Sequence, residues 1–522
     1  MAYKAHFLWV DDEIDLLIPH MLFLKEKGYE TDFANNGRDA IAMCQSKAYD
    51  IIFLDEHMPG LSGLNTLSKL KETSPTVPVV MITKSEDEGI MNKAIGKKIS
   101  DYLIKPVNPN QILLAIKKIL EKEQLISETT TLNYREEYNK LNLEINNCRS
   151  IDDWRRLYRK LIYWEIELEQ SGFILKEFPE MQKNEANILF AKFVKNNYKT
   201  WVSRIGNPTD KDREQPIMSP NIFERYVYPM LDSNEKLFFI LIDNFRLDQW
   251  EVIKGVFQEL FTYKEDLYFS ILPTATPYAR NSLFSGMMPK QLADDFPEMW
   301  VSESEDVGKN DFEDQLIKIQ LSNAERDTAF SYNKINTNKE LDRITERFQE
   351  YENNQLNVLV FNFIDMLSHS RTESKMLSEL IFNESSFRKL TLSWFQNSSF
   401  QNLLRLISQK GFKAIVTSDH GSIRVKNGVK IVGDKGTNNN LRYKLGKSLG
   451  YDPKKVFEII HPENYGLPSP NMSTRYIFAQ NRDFFIYPNN YNYFISIYEN
   501  SFQHGGISME EMMLPIISLS PK

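Results

Sequence analysis

Acidic and imidazole side chains stand at the ends of three apolar runs in the second half of the chain. They are Asp243, Asp365, His369, Asp419 and His420, and a late glycine-rich turn adds His504. Carboxylate and imidazole groups together form a ligand set that suits Zn²⁺. The spacing of Asp365 and His369 places both side chains on one face of a helical turn, so with His504 they predict one three-ligand site. Asp243, Asp419 and His420 predict a second.

Two zinc sites of this kind predict phosphoryl transfer, since two ions about 3.5–4 Å apart can stabilise both the attacking and the leaving oxygen. A nucleophile is expected between them. The segment after the apolar run 267–272 offers two hydroxyls, Thr274 and Thr276, and a threonine hydroxyl beside a zinc ion loses its proton more readily. Thr276 comes shortly before the expected helix 279–284, whose N-terminus can help to hold phosphate. The residues alone leave both threonines as candidate nucleophiles.

A second set of polar residues follows the apolar runs near the N-terminus: Asp11, Asp12, Asp55, Thr83 and Lys105. In an open parallel sheet, residues just beyond the carboxyl ends of the strands converge in one crevice. Clustered carboxylates suit Mg²⁺, with Asp12 and Asp55 as direct ligands and Asp11 binding through water. We expect Asp55 to become an aspartyl phosphate. We expect Lys105 to neutralise the phosphoryl oxygens and Thr83 to hydrogen-bond the new dianion.

The elements that would position these residues predict an α/β multidomain fold. Apolar runs at 7–10, 51–54, 77–82 and 102–104, with a weaker run near 29–34, predict a five-stranded parallel sheet with helices on both faces. Residues 122–205 are charged and aromatic with apolar residues at helical spacing, which predicts a small helical bundle. The proline-rich segment 203–220 is the expected linker. A second α/β pattern begins near residue 221.

The N-terminal motifs Val10-Asp-Asp12, Leu54-Asp-Glu-His-Met-Pro-Gly60, Ile82-Thr83 and Ile104-Lys-Pro106 resemble the receiver domain of bacterial two-component response regulators. The resemblance covers about residues 4–121 and implies a flavodoxin-like receiver. It implies that a partner histidine kinase phosphorylates Asp55. It also implies that Tyr102 is the aromatic switch residue beside Thr83.

The C-terminal motifs around Asp243, Pro273-Thr-Ala-Thr276, Asp365-x-x-x-His369, Ser418-Asp-His-Gly421 and His504 resemble the metal frame of the alkaline phosphatase superfamily, nucleotide phosphodiesterase branch. The stretch Phe502–Pro515 is similar to the PglZ domain. The resemblance implies two Zn²⁺ ions and favours Thr276, ten residues before Gly286, as the nucleophile. The asparagine that binds the phosphate oxygen in that branch has no clear match, so Arg280 and Asn281 are our candidates for orienting the phosphate.

The order of parts resembles a family of response regulators linked to type IX protein secretion. We expect a receiver domain at 1–121, a helical bundle linker domain at 122–207 and a PglZ domain of alkaline-phosphatase-like α/β fold at 208–522. The resemblance implies homodimerisation on phosphorylation and hydrolysis of nucleotide or oligonucleotide phosphodiesters. It also implies partners among transcription or secretion-system proteins.

Composition limits the alternatives. The net charge of −8 over 522 residues argues against a general nucleic-acid coat protein. Two cysteines, outside any paired motif, fit a reducing compartment. The N-terminal residues lack the pattern of a signal peptide, and no apolar run reaches the length of a membrane span, so we expect a cytoplasmic protein. One alternative is a non-catalytic adaptor that binds protein partners around structural zinc. Another, a DNA-binding factor, lacks a convincing helix-turn-helix.

Overall fold

The computed structural model describes residues 4–74, 77–84, 99–171, 177–206, 215–301, 308–373, 379–433 and 437–522. The chain forms two compact units. The first comprises Met1–Arg135 and Gln170–Phe173, and the second comprises Glu136–Glu169 and Ile174–Lys522. The domain boundary expected at 207 and 208 lies outside the described residues. No described helix combines the length and apolar character needed to cross a bilayer.

The first unit contains a five-stranded parallel sheet in the order β2-β1-β3-β4-β5. Its strands are β1 His6–Val10, β2 Glu30–Ala34, β3 Ile51–Asp55, β4 Val79–Thr83 and β5 Asp101–Ile104. Helices cover Ile18–Glu26, Gly37–Ser46, Gly63–Thr73 and the start of Pro109–Asn147. Strands β3 and β4 are buried throughout, as expected for a parallel sheet covered on both faces. This order is that of flavodoxin-like folds, so the expected fold is confirmed.

The helical middle of the chain belongs to the second unit from Glu136 onward. It contains the helices Ile151–Gln170 and Glu177–Ser203. The first of these begins at a capping box, in which Ser150 Oγ accepts from Asp153 N at 3.2 Å and the Asp153 carboxylate accepts from Ser150 N at 3.0 Å. Its expected apolar face is buried: Trp154, Leu157, Tyr158, Leu161, Ile162 and Leu168.

The second unit is built on a six-stranded sheet in the order β7-β18-β10-β6-β9-β8. Its strands are β6 Leu237–Ile242, β7 Phe261–Phe269, β8 Phe330–Ile335, β9 Leu356–Phe361, β10 Lys413–Thr417 and β18 Met513–Pro521. Strands β8, β9, β6 and β10 are parallel neighbours, whereas β18 runs antiparallel to both β10 and β7. The strand β18 therefore joins β7 to the rest of the sheet.

Helices and three small sheets surround this central sheet. The small sheets pair β11 Ile423–Arg424 with β17 Phe502–Gln503, β12 Asn427–Lys430 with β16 Asp483–Ile486, and β15 Arg475–Ala479 with both β13 Tyr443–Gly446 and β14 Val456–Ile459. The helices are Tyr228–Asp232, Leu247–Gln258, Thr276–Ser285, Pro289–Asp295, Glu313–Asn323, Asn338–Glu346, Phe363–Glu373, Glu384–Asn397, Phe400–Gln409, Tyr491–Tyr498 and Met509–Met512.

The core of the second unit fixes the strand ends that matter for function. All six residues of β6 and all six of β9 are buried. Side chains from both strands pack with Phe284 and Leu283 of the helix Thr276–Ser285 in one apolar cluster. Because β10, β6 and β9 are adjacent and parallel, their carboxyl ends meet at one edge of the sheet.

Candidate active site

The predicted ligands lie where these three strands end. Asp243 follows β6 directly, and its backbone N–H donates to the Phe361 carbonyl at the end of β9 at 2.8 Å. Asp419 and His420 follow β10 after a single serine. Asp365 lies in the first turn of the helix Phe363–Glu373, which follows β9, and His504 follows β17.

Asp365, His369 and His504 form one group, here called the first trio. One ligand atom from each residue lies within 4.8 Å of the others. The Nε2 atom of His369 is 3.3 Å from Asp365 Oδ2 and 3.3 Å from His504 Nε2. The His369 side chain is 52% exposed, whereas His504 is buried. The first trio therefore opens to solvent on the His369 side.

Asp243, Asp419 and His420 form a second group, here called the second trio, whose ligand atoms also lie within 4.8 Å of one another. His420 Nε2 is 3.4 Å from Asp243 Oδ1 and 3.9 Å from Asp419 Oδ2. Burial raises the pKa of Asp243. Asp243 Oδ1 has no hydrogen-bond partner among the described residues. A buried carboxylate oxygen with an unused lone pair beside an imidazole nitrogen fits a divalent cation such as Zn²⁺.

The two trios share a wall formed by two imidazoles. The rings of His420 and His504 stack with centroids 4.1 Å apart. The Nδ1 atom of each ring faces a backbone carbonyl, that of Gly421 for His420 and that of Thr274 for His504. A carbonyl only accepts, so each Nδ1 donates, and each Nε2 keeps its lone pair for the cluster.

The two threonines that the sequence offers as candidate nucleophiles have different surroundings in the structure. Thr276 Oγ1 lies 2.9 Å from His420 Nε2, at the first residue of the helix Thr276–Ser285. Thr274 is fully buried, and its hydroxyl donates to the Gly506 carbonyl and accepts from the Gly505 N–H. Thr274 thus holds the turn that carries His504, while Thr276 faces the cluster.

Arg280 and Asn281 do not project freely toward a substrate. Arg280 pairs with Asp243 and donates from Nε to Asp419 Oδ2 at 2.9 Å. The Asn281 amide donates to the Lys309 carbonyl and accepts from Asn310 Nδ2 at 2.9 Å.

Sequence reasoning missed two asparagines at the site. Asn310 Nδ2 lies 3.4 Å from the Thr276 carbonyl oxygen, which places its amide beside the candidate nucleophile. Asn244 directly follows Asp243, with a positive φ of 61°, and its Nδ2 donates to Asp365 Oδ1 at 3.2 Å. The neighbouring Asp243 gave a signal for Asn244, but Asn310 lies in a loop with no strand-end motif.

A buried charge cluster joins the helical middle of the chain to the loops of this site. Lys183 Nζ lies 2.9 Å from Glu165 Oε2 and 3.1 Å from Glu510 Oε1. Arg388 extends the cluster, at 2.6 Å from Glu165 and 3.0 Å from Asp248. Glu510 lies six residues after His504 and Asp248 five residues after Asp243, so the cluster lies close in sequence to both trios.

The first unit gathers the predicted receiver residues at the ends of its strands. Asp11, Asp12 and Asp55 each offer a carboxylate oxygen within 4.8 Å of the others. Lys105 Nζ is 2.8 Å from Asp11 Oδ2 and 3.1 Å from Asp55 Oδ1. Burial is the main cause that raises the pKa of Asp55, and the nearby Asp11 adds to it. The donor set fits Mg²⁺, a cation that takes oxygen ligands.

The two expected switch residues lie on neighbouring strands. Thr83 is the buried last residue of β4. Tyr102 lies on β5, paired in register with Met81, and is 38% exposed. The structure thus places Thr83 at the strand ends that carry the acids and Tyr102 on the adjacent edge strand.

Comparisons with known proteins assign all three parts of the chain. The response regulator receiver domain matches residues 7–117, the PorX response regulator linker domain matches residues 124–202, and the BREX system PglZ alkaline phosphatase-like domain matches residues 222–519. The transcriptional regulatory protein ResD of Bacillus subtilis is 32% identical over 25% of this chain and 52% of its own. AlgB of Pseudomonas syringae pv. tomato is 32% identical over 25% of this chain and 29% of its own. The chain thus spans about half of the first relative and under a third of the second.

Among solved structures, a two-component response regulator from Clostridium difficile is 30% identical, with a TM-score of 0.22, and the match covers 23% of this chain and 97% of that one. The PglZ match covers more than half of the present chain. The three domain matches follow one another in the order of a PorX-like fusion of receiver and PglZ domains, as the motifs predicted. The chain is therefore a response regulator that belongs to the PglZ alkaline phosphatase-like family.

Proposed function

We propose that this response regulator is a zinc-dependent phosphodiesterase whose effector domain is controlled by phosphorylation of Asp55. The observation that carries the proposal is the position of the Thr276 hydroxyl, 2.9 Å from His420 Nε2 at the shared wall of the two trios. Such a hydroxyl beside two adjacent three-ligand groups is arranged for attack on a phosphorus atom.

Two Zn²⁺ ions held by the trios would stabilise the developing charge on the attacking and leaving oxygens. Thr276 Oγ1 forms a bond to phosphorus while the bond from phosphorus to the leaving alcohol oxygen breaks. Water then cleaves the threonine phosphate ester and restores the hydroxyl. The proton lost by the threonine balances the proton gained by the leaving alcohol.

The remaining residues orient the phosphate and the ligands. The Thr276–Ser285 helix begins at the nucleophile, so the positive end of its dipole favours an anion there. Asn310 supports the start of this helix, because its amide donates to the Thr276 carbonyl and to Asn281 Oδ1. Asn244 holds Asp365, and Thr274 holds the turn of His504. Closed structural zinc sites have four protein ligands, so two three-ligand groups beside a hydroxyl favour catalysis over an adaptor.

In the first unit, Asp55 accepts a phosphoryl group from a partner histidine kinase. Asp12 and Asp55 would hold Mg²⁺ directly, and Asp11 would hold it through water. Thr83 and Tyr102 convert the added charge into a conformational change, and Lys105 pairs with the phosphoryl oxygens. By resemblance, phosphorylation promotes a homodimer, the substrates are nucleotide or oligonucleotide phosphodiesters, and the cellular role concerns type IX secretion.

The decisive experiment measures hydrolysis of an aryl phosphodiester by the full chain with zinc added or chelated. We expect turnover that requires zinc, loss of turnover in Thr276→Val and partial activity in Thr276→Ser. Thr262→Val, an exposed threonine on β7, is the matched control and retains full activity. Full activity in Thr276→Val would remove Thr276 from the mechanism. Bound zinc with no turnover on any phosphoester would favour the adaptor.

A further inference from the structure

Arg280 lies between the two carboxylates of the second trio. Its guanidinium pairs with Asp243, and its Nε donates to Asp419 Oδ2 at 2.9 Å. The Arg280 side chain is only 2% exposed and the Asp419 side chain is fully buried. Two carboxylates buried side by side need a compensating cation, and in this arrangement Arg280 supplies that charge.

The same two carboxylates are also ligands that a divalent ion would require. A guanidinium and a divalent cation at the same oxygens repel each other strongly in a buried site, where screening by water is weak. The two cations therefore exclude each other, at least in part. The first trio makes no ion pair with Arg280 among the described residues, so the conflict concerns the second trio.

Glu313 offers Arg280 an alternative partner. Glu313 Oε1 lies 3.5 Å from Arg280 Nη1 and has no hydrogen-bond partner among the described residues, although the side chain is fully buried. The other carboxylate oxygen, Oε2, accepts from the Tyr332 hydroxyl and lies 3.2 Å from Lys334 Nζ. Tyr332 and Lys334 thus fix the carboxylate and leave one oxygen facing the guanidinium.

Arg280 is also close to the place where a phosphate would react. It lies one helical turn after Thr276 on the same helix, so the two side chains share a face. A guanidinium binds phosphate oxygens through paired hydrogen bonds. An Arg280 released from Asp243 and Asp419 would need an anion, and the substrate phosphate supplies one.

We propose that Arg280 and a divalent cation compete for Asp243 and Asp419, and that occupation of the second trio transfers the guanidinium to Glu313 and the substrate phosphate. This inference rests on the proposed two-ion site and adds to it an order of events. Phosphate and the cation of the second trio then increase each other's affinity. The cation displaces Arg280 from the two carboxylates, and phosphate gives the displaced guanidinium an anionic partner.

The test is zinc binding to the metal-free full chain, measured by chelator competition with and without inorganic phosphate. In the wild type we expect one tight and one weaker zinc ion, with the weaker one tightened about tenfold by phosphate. Arg280→Gln removes the competing charge, so the weaker ion binds about tenfold or more tightly and the effect of phosphate is largely lost. The tight ion is unchanged.

Glu313→Gln provides a second test with the opposite sign. Loss of the alternative partner leaves Arg280 on Asp243 and Asp419, so the weaker zinc ion binds less tightly, by about tenfold. In Arg280→Gln, the further change Glu313→Gln should have little effect on that ion, because the two residues act as one unit. Arg326→Gln, a partly exposed arginine paired with Asp232, is the control and leaves both affinities unchanged.

The outcomes separate the two proposals. A wild-type chain that binds fewer than two zinc ions overturns the proposed function and this inference together. Suppose that the wild type binds two zinc ions and hydrolyses diesters, but Arg280→Gln changes neither the weaker zinc affinity nor the effect of phosphate on it. This result contradicts the inference and leaves the proposed function standing. If Arg280→Gln fails to fold, Glu313→Gln decides alone: tighter or unchanged zinc binding in that variant contradicts the competition.

Discussion

The imidazole rings of His420 and His504 stack almost in parallel, 4.1 Å apart at their centroids and 16° apart in plane. Each ring belongs to a different trio, so the stack sets the spacing of the two proposed ion sites. Burial and the neighbouring His420 lower the pKa of His504 to about 3. His504 is therefore neutral near pH 7, which is the form of histidine that binds metal.

Removal of His369 should empty the first trio while the second remains. His369 is the exposed ligand of that trio, so its loss disturbs little packing. We expect His369→Ala to weaken zinc binding at this site by at least about 100-fold, the upper range for losing even an outer-shell partner. Metal analysis after dialysis should find one ion fewer per chain. His461 is an exposed histidine beside Glu463, and the control variant His461→Ala should keep both zinc ions. An unchanged zinc content in His369→Ala would exclude His369 as a ligand.

Thr274→Val should produce a different defect from Thr276→Val. The Thr274 hydroxyl holds Gly505 and Gly506, so its loss frees the turn that orients His504. We expect zinc affinity to fall by about 10–100-fold, with turnover partly restored by excess zinc. Thr276→Val should keep its zinc and stay inactive at any zinc concentration. Zinc titrations of turnover distinguish the two variants, and identical titration curves would contradict the assignment.

Lys183→Met should destabilise the second unit strongly. The lysine is buried between Glu165 and Glu510. Its removal leaves the buried Glu510 carboxylate without this ion pair, whereas Glu165 keeps its pair with Arg388. Breaking one side of a buried ion pair costs about 3–5 kcal/mol. Urea unfolding of the full chain measures the loss. Lys195→Met, an exposed position on the same helix, serves as the control, and equal stability of the two variants would show that the buried cluster adds nothing.

Glu180 should make stability depend on pH in the acid range. Burial alone would raise the pKa of Glu180, but ion pairs with Lys426 and Arg482 outweigh it and lower that pKa to about 2. The pKa in the folded state lies below the ordinary glutamate value of 4.5, so the stabilisation is present above that value and is lost as pH falls toward 2. Glu180→Gln should thus be less stable than wild type at pH 7, with the difference shrinking below about pH 5.

Thermal unfolding at several pH values measures this difference. Glu177→Gln, an exposed residue on the same helix, is the comparison. If the difference in stability between wild type and Glu180→Gln stays constant down to pH 3, the two ion pairs do not act through the Glu180 carboxylate.

Asp55→Asn should prevent phosphorylation of the receiver. The amide cannot attack an acyl phosphate, yet it preserves the shape of the buried side chain beside Lys105. With acetyl phosphate and Mg²⁺, intact-mass measurement should find one added phosphoryl group on the wild type and none on Asp55→Asn. Asp39→Asn, on the exposed surface, should behave as wild type. Phosphoryl transfer to Asp55→Asn would place the acceptor elsewhere.

The strand-end acids could be predicted because buried parallel strands are continuous apolar runs, so Asp243 and Asp55 mark where each run stops. The residues alone could not show which of Thr274 and Thr276 is the nucleophile, because this depends on which of the two hydroxyls hydrogen-bonds to the turn at Gly505. The partners of Arg280 depend on three segments far apart in sequence. The contact between Lys183 and Glu510 could not be predicted either, because the sequence alone does not distinguish a buried lysine from an exposed one.

The antiparallel strand β18 follows every other strand of its sheet in sequence, yet it lies between β7 and β10. During translation, the ribosome therefore releases β7 without its neighbour in the sheet, and β10 with one edge unpaired, until β18 emerges. Such edges pair readily with other chains. The nascent chain should expose these edges over this interval, and it acquires His504 only shortly before the sheet closes.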